Sequence, residues 1–235
     1  MSFYPADLAR IHDEGFGEFA RAAACEVLRR LPPTGLVVEL GCGSGISTQI
    51  LSEAGYDLVG IDIAAEMLAI ARRRAPHAEL RHESIWQAEL PRCVAVTAIG
   101  EVLNYAADDR AGAERLPELF ARVHRSLLPG GVFVFDFATP GRATLRTAGP
   151  HVREGPDWRI ESEAVEDTAT STLERRMTIQ VAGTTREEIH RLRLYEPELV
   201  RECLEVAGFR SEGLDRYCDF GFWPGYGAFA AVKPG

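Results

Sequence analysis

Cysteine is scarce in this sequence, and no two cysteines are spaced as a recognisable pair. The five cysteines are far apart, at positions 25, 42, 93, 203 and 218, an odd number without C-x-x-C spacing. Such a set argues against both a disulfide framework and a zinc site, and it suits the reducing environment of the cytoplasm. We therefore expect no disulfide framework and no bound metal.

Basic residues are also few in relation to acidic ones. The sequence has 26 lysines and arginines against 35 aspartates and glutamates, for a net charge of -9. Proteins that bind nucleic acid usually carry a basic surface. The run Arg72-Arg73-Arg74 is too short to provide a basic surface. Its positive charge instead suits the C-terminal end of a helix, where the helix dipole is negative. The charge balance therefore predicts no nucleic-acid partner.

Long apolar runs are missing as well. No stretch approaches the ~18 consecutive apolar residues of a membrane-spanning helix. The first residues, MSFYPADLARIHDEG, lack the apolar core of a secretory signal peptide. We therefore expect a soluble, cytoplasmic protein with no membrane partner.

What the sequence does contain is a regular alternation of strands and helices. Short apolar segments between helical segments indicate a parallel sheet that is covered on both faces. The predicted strands are residues 36–40, 57–61, 79–83, 94–99 and 132–137, with a closing hairpin of 209–217 and 226–233. The predicted helices are residues 5–31, 44–54, 64–74, 109–128 and 197–207. The fold class is therefore α/β, with a doubly wound, mostly parallel sheet of seven strands.

The alternation of strand and helix stops after Pro140. The segments that follow alternate polar and apolar side chains, which is typical of antiparallel strands with one solvent-facing side. These segments are residues 158–167, 170–182 and 185–195. We therefore expect an α/β domain of residues 1–140 and 196–235, interrupted by an antiparallel β meander at 141–195.

The first predicted strand ends in a glycine-rich turn, VVELGCGSG, with glycines at positions 41, 43 and 45. Glycine lets the main chain approach a ligand without a Cβ in the way, and the helix that follows offers free N–H groups to a negative group. Ligands of parallel sheets bind at the carboxyl ends of the strands. The turn alone is also compatible with a tight connection that binds nothing, although it favours a ligand.

Asp62 adds the evidence for a nucleoside. It ends the second predicted strand, 17 residues after Gly45. A carboxylate at this position can accept hydrogen bonds from both hydroxyls of a ribose, whereas its burial without such a partner would be costly. A glycine turn followed by an acid at the next strand end therefore predicts a cofactor of the adenosine type.

Two cofactors of this type compete. The dinucleotide fingerprint G-x-G-x-x-G needs a glycine immediately after Gly45, and Ile46 stands there. Glu39, just before the turn, would be poorly placed beside a pyrophosphate and well placed beside the ammonium group of an amino acid. The pattern favours S-adenosylmethionine. A nicotinamide-dependent oxidoreductase and a non-catalytic, cofactor-binding regulatory module are the alternatives.

Several motifs together resemble those of the class I S-adenosylmethionine-dependent methyltransferases of the small-molecule type. These motifs are VVELGCGSG, GIDIAAEML, RSLLPGGVFVFDF, YEPELVRECLEVAGF and GYGAFAAVKP. The resemblance covers roughly residues 30–140 and 196–235, and it implies the Rossmann-like methyltransferase fold. It also implies transfer of a methyl group from S-adenosyl-L-methionine to a nitrogen or oxygen atom of a small polar molecule, with S-adenosyl-L-homocysteine as product.

The resemblance further implies a set of cofactor-binding residues. They are Glu39, Gly41, Gly43, Gly45, Asp62, Ile63, Met67, Glu83, Ser84, Ile85, Gly100 and Glu101. Glu39 and the glycines would hold the methionine end, and Asp62 would hold the ribose. The third strand of the family usually ends in an acid that meets the adenine amine, and here Glu83 or Ser84 must take that place.

Methyl transfer is an in-line displacement, so the protein has to align the acceptor, exclude water and leave a lone pair available. The candidate catalytic residues are His12, Glu101, Asn104 and Tyr105. His12 lies on the N-terminal helix, where members of the family often carry an aromatic residue that caps the cofactor. Asn104 and Tyr105 would lie toward the substrate. His190 and Tyr195 are further candidates for a base, and we expect His190 to face solvent on its strand.

The inserted meander is expected to select the substrate, because it would lie above the carboxyl ends of the strands. Its arginines at positions 175, 176, 186, 191 and 193 are mixed with many glutamates. This mixture suits a lid over a polar molecule, a solvated sheet face, or a dimer surface made by an exposed strand edge. Both a monomer and a homodimer are compatible with the sequence.

Overall fold

The computed structural model describes residues 4–143 and 151–235. In chain order, the strands are β1 (Leu36–Leu40), β2 (Asp57–Asp62), β3 (Glu79–His82), β4 (Cys93–Ala98), β5 (Leu127–Ala138), β6 (His151–Glu154), β7 (Trp158–Asp167), β8 (Thr172–Val181), β9 (Thr184–Arg193), β10 (Arg210–Gly213), β11 (Arg216–Tyr217), β12 (Phe220–Gly221) and β13 (Tyr226–Val232). The α-helices are α1 (Ala6–Gly15), α2 (Gly17–Leu28), α3 (Ile46–Glu53), α4 (Ala65–Arg74), α5 (Leu116–Ser126) and α6 (Pro197–Val206).

The main sheet contains seven strands of the described residues, in the order β10-β13-β5-β4-β1-β2-β3. Strands β1 to β5 are joined by parallel pairings, and β13 runs antiparallel to its neighbours β5 and β10. This arrangement confirms the predicted doubly wound, mostly parallel sheet. The chain changes direction across the sheet between β1 and β4, which is where open α/β sheets bind their ligands.

Strand β5 shows why helices cover both faces of this sheet. Its side chains alternate between two layers of the core. Phe133 and Phe135 pack with Phe120 of α5, whereas Val132 and Val134 lie in the opposite layer with residues of α2 and α3. A strand buried on both faces is mostly apolar, and this accounts for the apolar run that predicted it.

The N-terminal helix differs from its prediction, because the chain forms two helices where one was expected. Helix α1 ends at Gly15 and α2 begins at Gly17, with Phe16 outside helical geometry between them. Two glycines in three positions weaken a helix. The chain therefore turns at Phe16, and α1 does not continue along the axis of α2.

The start of α5 was predicted too early. The helix begins at Leu116, after a 3-10 turn at Ala113–Arg115, and Pro117 lies in its first turn. Proline is favoured in the first turn of a helix and disfavoured inside it, so this residue marks the start better than the apolar pattern does. No helix of the described residues is long and apolar enough to cross a membrane.

Strands β6 to β9 form the predicted antiparallel meander, in the order β6-β7-β8-β9. One face of this second sheet is apolar: Trp158, Met177 and Ile179 form a cluster with Leu8 and Ile11 of α1. The second sheet therefore packs over α1 and lies at the carboxyl-end side of the main sheet. Residues 144–150, which belong to the predicted insertion, lie outside the described residues.

Cysteine pairing contradicts the sequence prediction. Cys25 of α2 and Cys218, between β11 and β12, form a disulfide whose Cα atoms are 6.3 Å apart. Cys42, Cys93 and Cys203 are free thiols. The spacing of the cysteines could not reveal the pair, because its members are 193 residues apart in the sequence. They meet only where α2 packs against β11 in the folded chain.

Candidate functional site

A cleft opens at the carboxyl ends of β1, β2 and β4. It is lined by several of the residues that the sequence predicted for the cofactor, namely Gly41, Gly43, Asp62, Ile63, Met67, Ile85 and Gly100. Two predicted catalytic residues, His12 and Tyr105, line its other end together with Tyr4. Separate strands and α1 thus bring distant parts of the sequence to one cleft.

The glycine turn brings bare main chain to the edge of this cleft. Gly41 and Gly43 have φ angles of 73° and 54°, in the left-handed region that other residues rarely adopt. A Cβ at Gly41 would overlap the side chain of Val102, whereas a Cβ at Gly43 would project into open space. A ligand can therefore approach the backbone at Gly43 without meeting a side chain.

Asp62 ties the end of β2 to the glycine turn and faces the cleft. Its Oδ2 accepts a hydrogen bond from the N–H of Gly43, and its Oδ1 accepts one from the N–H of Ala64, both at 2.8 Å. Burial raises the pKa of Asp62 above its usual value, and the two backbone hydrogen bonds oppose that shift. Each oxygen keeps a further lone pair, which suits the two hydroxyls of a ribose.

Glu39 is buried next to the turn, and only one of its carboxylate oxygens accepts a hydrogen bond from the described residues. Its Oε1 accepts a hydrogen bond from the hydroxyl of Ser47 at 2.6 Å, whereas Oε2 has no hydrogen-bond partner among the described residues. Burial raises the pKa of Glu39, and the hydroxyls of Ser47 and Thr48 oppose the shift. A buried carboxylate oxygen in this state would be stabilised by a cation, so the site fits the ammonium group of S-adenosylmethionine.

Asp136, near the C-terminal end of β5, holds the loop that follows β4. Its carboxylate accepts hydrogen bonds from the N–H groups of Gly100 and Glu101 and from the hydroxyls of Tyr217 and Tyr226, at 2.6 to 3.1 Å. Burial raises the pKa of Asp136 to about 7. Sequence reasoning missed this residue, although an acid inside the apolar run VFVFDF was a visible signal of a buried polar network.

Glu101 is an anion held between two arginines. Its Oε1 lies 2.6 Å from Nε of Arg142, and its Oε2 lies 2.9 Å from Nη2 of Arg175 on β8. Burial would raise the pKa of Glu101, but the two guanidinium groups outweigh it and lower the pKa to about 2. A carboxylate held in this way is a poor proton acceptor at neutral pH. The geometry gives Glu101 an anchoring contact between the second sheet and the loop after β4.

Aromatic and imidazole rings surround the end of the cleft beyond the glycine turn. The ring centroid of Tyr4 lies 5.6 Å from that of His12 and 5.0 Å from that of His190, and Tyr105 lies 5.7 Å from His190. Burial, with a smaller effect of Arg175, lowers the pKa of His12 to about 4. Both histidines are therefore uncharged at neutral pH, since burial lowers the pKa of His190 to about 4 as well.

His190 corrects an expectation from the sequence. It was expected to face solvent, and its side chain is only 3% exposed, on the inner face of β9. The alternation of β9 predicts that its residues occupy two faces, but it does not indicate which face is covered. Contacts with Tyr4 and Tyr105 hold the His190 side chain on the covered face. The pattern of β9 could not predict these contacts, because both tyrosines lie in distant segments of the chain.

The other predicted site residues, Glu39 and Glu101 among them, do not belong to the described residues that line the cleft. Asn104 is fully buried, and its side-chain amide bonds the main chain of Ala138, through both its nitrogen and its oxygen, and the carbonyl of Arg193. This set of contacts gives Asn104 a structural position between loop and sheets. Gly45 lies under the turn, where a Cβ would approach that of Ala71 to 3.0 Å. Among the described residues, the wall near Ile85 includes neither Glu83 nor Ser84.

Comparison with known sequences gives the same assignment for the core of the chain. A model of the methyltransferase domain matches residues 37–131. A dTDP-3-amino-3,6-dideoxy-alpha-D-glucopyranose N,N-dimethyltransferase of Streptomyces fradiae is 29% identical, over 89% of this chain and 86% of that protein. A trans-aconitate 2-methyltransferase of Azoarcus sp. (strain BH72) is 30% identical, over 68% of this chain and 74% of that protein. An 18S rRNA (guanine-N(7))-methyltransferase of Arabidopsis thaliana is 29% identical, over 46% of this chain and 41% of that protein.

Among solved structures, the CcbJ methyltransferase of Streptomyces caelestis superposes with a TM-score of 0.82 at 20% identity, over 100% of this chain and 99% of that one. This likeness shows the fold, over both the main sheet and the second sheet. The relative that is 30% identical over most of its own length shows the family. The fold, the glycine turn and the strand-end acid agree with it, and the chain belongs to the class I S-adenosylmethionine-dependent methyltransferases.

Proposed function

We propose that this protein transfers a methyl group from S-adenosylmethionine to the amino group of a small polar molecule, and that the molecule is an amino sugar. The observation that carries the proposal is that Tyr4, His12 and Tyr105 line the same cleft as Asp62 and the glycine turn, and we propose that the acceptor binds beside these three rings. The sugar N,N-dimethyltransferase relative, which matches 89% of this chain, supports the same class of substrate.

The residues around the glycine turn are proposed to hold the cofactor. Bound S-adenosylmethionine supplies an electrophilic methyl group on a sulfonium. Asp62 would accept hydrogen bonds from the ribose, and the free oxygen of Glu39 would face the ammonium group. Ile63, Met67 and Ile85 provide apolar surface for the adenine, and the backbone at Gly43 and Gly100 leaves space along the cofactor.

Transfer requires an amine with a free lone pair, and the chain provides two conditions for it. Tyr4 and Tyr105 reduce the access of water to the end of the cleft, which strengthens every electrostatic interaction inside. His12 is uncharged at neutral pH, and its buried Nδ1 has no hydrogen-bond partner among the described residues. This nitrogen can accept a hydrogen bond from the amine and so orient its lone pair, whereas a pKa near 4 makes it a poor proton acceptor at neutral pH.

A polycarboxylate substrate fits this end of the cleft less well. Trans-aconitate, the substrate in the name of one relative, carries three carboxylates and would need unpaired cations. Arg175 acts on Tyr4, His12 and His190, with smaller effects of Arg153 on His12 and of Arg186 on His190, and the Arg175 guanidinium is already paired with Glu101. The pairing leaves little net positive charge for a polyanion.

The second sheet is proposed to act as a substrate lid. It supplies His190 behind the ring-lined end and joins the loop after β4 through Arg175. A role as a dimer surface remains the alternative, with a monomer or a homodimer as the corresponding states. The net charge of -9 disfavours a nucleic-acid substrate. A cytoplasmic location stays our expectation, although the Cys25–Cys218 disulfide removes the argument that the cysteines gave for it.

Calorimetry and product analysis test this proposal. We expect S-adenosylhomocysteine to bind and NAD not to bind, since Ile46 breaks the dinucleotide fingerprint. With S-adenosylmethionine present, mass spectrometry should show methylation of a nucleotide-linked amino sugar and none of its hydroxy counterpart or of trans-aconitate. Methylation of either of the latter would contradict an amine acceptor. Cofactor binding without turnover on any acceptor would favour the non-catalytic module.

A further inference from the structure

A second carboxylate, Asp108, faces the cofactor cleft from the loop between β4 and α5. It lies far along the sequence from Asp62, yet both line the same cleft. Asp108 is only 8% exposed, and Ile85, Trp86 and Ala107 line the wall beside it. An acidic group at the rim of an apolar wall therefore stands where a flat heterocycle would present its polar edge.

The carboxylate of Asp108 is held in a defined orientation. Its Oδ2 accepts a hydrogen bond from the hydroxyl of Ser84, and its Oδ1 accepts one from the N–H of Arg110 at 3.0 Å. The Ser84 hydroxyl in turn accepts a hydrogen bond from the N–H of Trp86 at 3.1 Å. A carboxylate offers about four acceptor positions, so Asp108 can accept a further hydrogen bond from a ligand.

The two residues expected at this place from the sequence are differently engaged. Ser84 has used its only proton in the hydrogen bond to Asp108, so it orients the acid and donates to no ligand. Glu83 lies at the end of β3 near Arg81, and its side chain is 39% exposed. The chain therefore carries a serine where an acid was expected, and an acid from another loop reaches the same wall.

We infer that Asp108, oriented by Ser84, accepts a hydrogen bond from the exocyclic amine of the cofactor's adenine and makes the protein selective for adenine. This inference rests on the proposed cofactor. A carboxylate attracts the amine of adenine and repels the carbonyl oxygen of hypoxanthine, because an ionised carboxylate can only accept hydrogen bonds. Hydrogen bonds to charged groups are about twice as strong as neutral ones, so the discrimination should be large.

The test compares two ligands by calorimetry, S-adenosylhomocysteine and its deaminated counterpart S-inosylhomocysteine. We expect the wild-type protein to bind the adenine form on the order of ten- to a hundredfold more tightly. Asp108→Asn should bind the adenine form about tenfold more weakly and should lose most of the discrimination, because its amide nitrogen can donate to the hypoxanthine carbonyl. Ser84→Ala keeps the carboxylate and frees its orientation, so discrimination should fall by a smaller factor.

Asp109→Asn is the matched control, since Asp109 is the neighbouring residue, loses the same charge and is 90% exposed. It should bind both ligands as the wild type does. The inference would be overturned if Asp108→Asn kept the affinity and the discrimination of the wild type. It would also be overturned, without any variant, if the wild type bound both ligands equally. A wild-type protein that binds neither ligand would overturn the proposed cofactor and this inference together.

Discussion

At the scale of single residues, Asp62 combines a local structural contact with a position facing the cleft. Its oxygens hold the N–H groups of Gly43 and Ala64, so the glycine turn and the strand-end acid form one unit. The sequence predicts this unit because its members are close in sequence and fall at adjacent strand ends. Asp108 and Asp136 escaped prediction, since each acts on a partner that only the folded chain brings near.

Replacing Asp62 with alanine should weaken binding of S-adenosylhomocysteine by about 1–3 kcal/mol, because charge-assisted hydrogen bonds to the ribose would be lost. Isothermal titration calorimetry measures the change. Asp57→Ala is the control, since Asp57 is an exposed acid on the same strand. An unchanged affinity in a folded Asp62→Ala protein would rule out the proposed ribose contact.

Replacing His12 with phenylalanine should keep a ring in the cleft and remove the nitrogen that we propose to accept a hydrogen bond from the amine. Loss of correct orientation of a reacting group can cost on the order of a hundredfold, so kcat should fall by up to about that factor while the affinity for S-adenosylhomocysteine changes little. The measurement is steady-state kinetics with an amino sugar. His77→Phe, on the exposed surface, should be neutral. Retention of full kcat by His12→Phe would leave it only a shape-filling role.

At the scale of elements, the second sheet is attached to the cofactor side of the molecule by contacts that its strand pattern could not disclose. Alternation predicted strands β7, β8 and β9, and it placed Arg175 on the same face as the apolar residues of β8. An arginine on an apolar face needs a buried acid as partner. Glu101 is that acid, and it lies 74 residues away in the sequence.

Breaking this ion pair should destabilise the fold. Arg175→Met removes one of the two arginines that hold the buried Glu101, and an incompletely paired buried charge is costly. We expect a loss of about 2–4 kcal/mol in the free energy of unfolding, measured by urea denaturation. Arg176→Met changes the next residue of β8, which is 67% exposed, and should cost less than about 0.5 kcal/mol. Equal stability of the two variants would contradict the role of the pair.

At the scale of the whole molecule, the Cys25–Cys218 disulfide closes a loop that includes most of the chain. A crosslink of this length restricts the unfolded state and typically contributes about 2–4 kcal/mol. We expect the Cys25→Ala/Cys218→Ala variant, and the wild type in reductant, to lose about this amount in urea denaturation. Cys203→Ala, which removes a free thiol, should not respond to reductant differently from the wild type. A denaturation midpoint that reductant leaves unchanged would show that the thiols are not joined in solution.

The pH dependence of stability should report the two buried histidines. Their pKa values fall from 6.5 to about 4 on folding, so the folded state prefers their neutral forms. Their contribution is therefore complete above about pH 6.5 and is lost as the pH falls toward 4, by up to about 3 kcal/mol for each. Asp136, with a pKa raised to about 7, has the opposite slope, since its contribution is lost as the pH rises through 7.

The histidine contribution is obtained from the difference between the wild type and His12→Phe/His190→Phe in urea denaturation at several pH values. The carboxyl of Asp136 acts equally in both proteins and cancels in this difference. We expect the double variant to lose less stability than the wild type between pH 6.5 and 4. Parallel curves for the two proteins would show that the histidines do not titrate as their burial implies.

The sequence by itself determined the features that depend on neighbours along the chain. Apolar runs and their alternation specify strands and helices, and the turn at Gly41 to Gly45 with Asp62 after it predicts a nucleoside site at two adjacent strand ends. Each of these signals is local, because hydrophobic periodicity and glycine geometry act over a few residues. They were sufficient for the fold class, the family and the cofactor.

Only the tertiary structure decided which distant groups meet. It joined Cys25 to Cys218, turned His190 inward, paired Arg175 with Glu101 and brought Asp108 to the wall where a nearer acid was expected. A periodic pattern shows that a strand has two faces, but what covers a face depends on packing between segments far apart in sequence. Burial and charge pairing arise from that packing, and the chemistry at the acceptor end of the cleft follows from both.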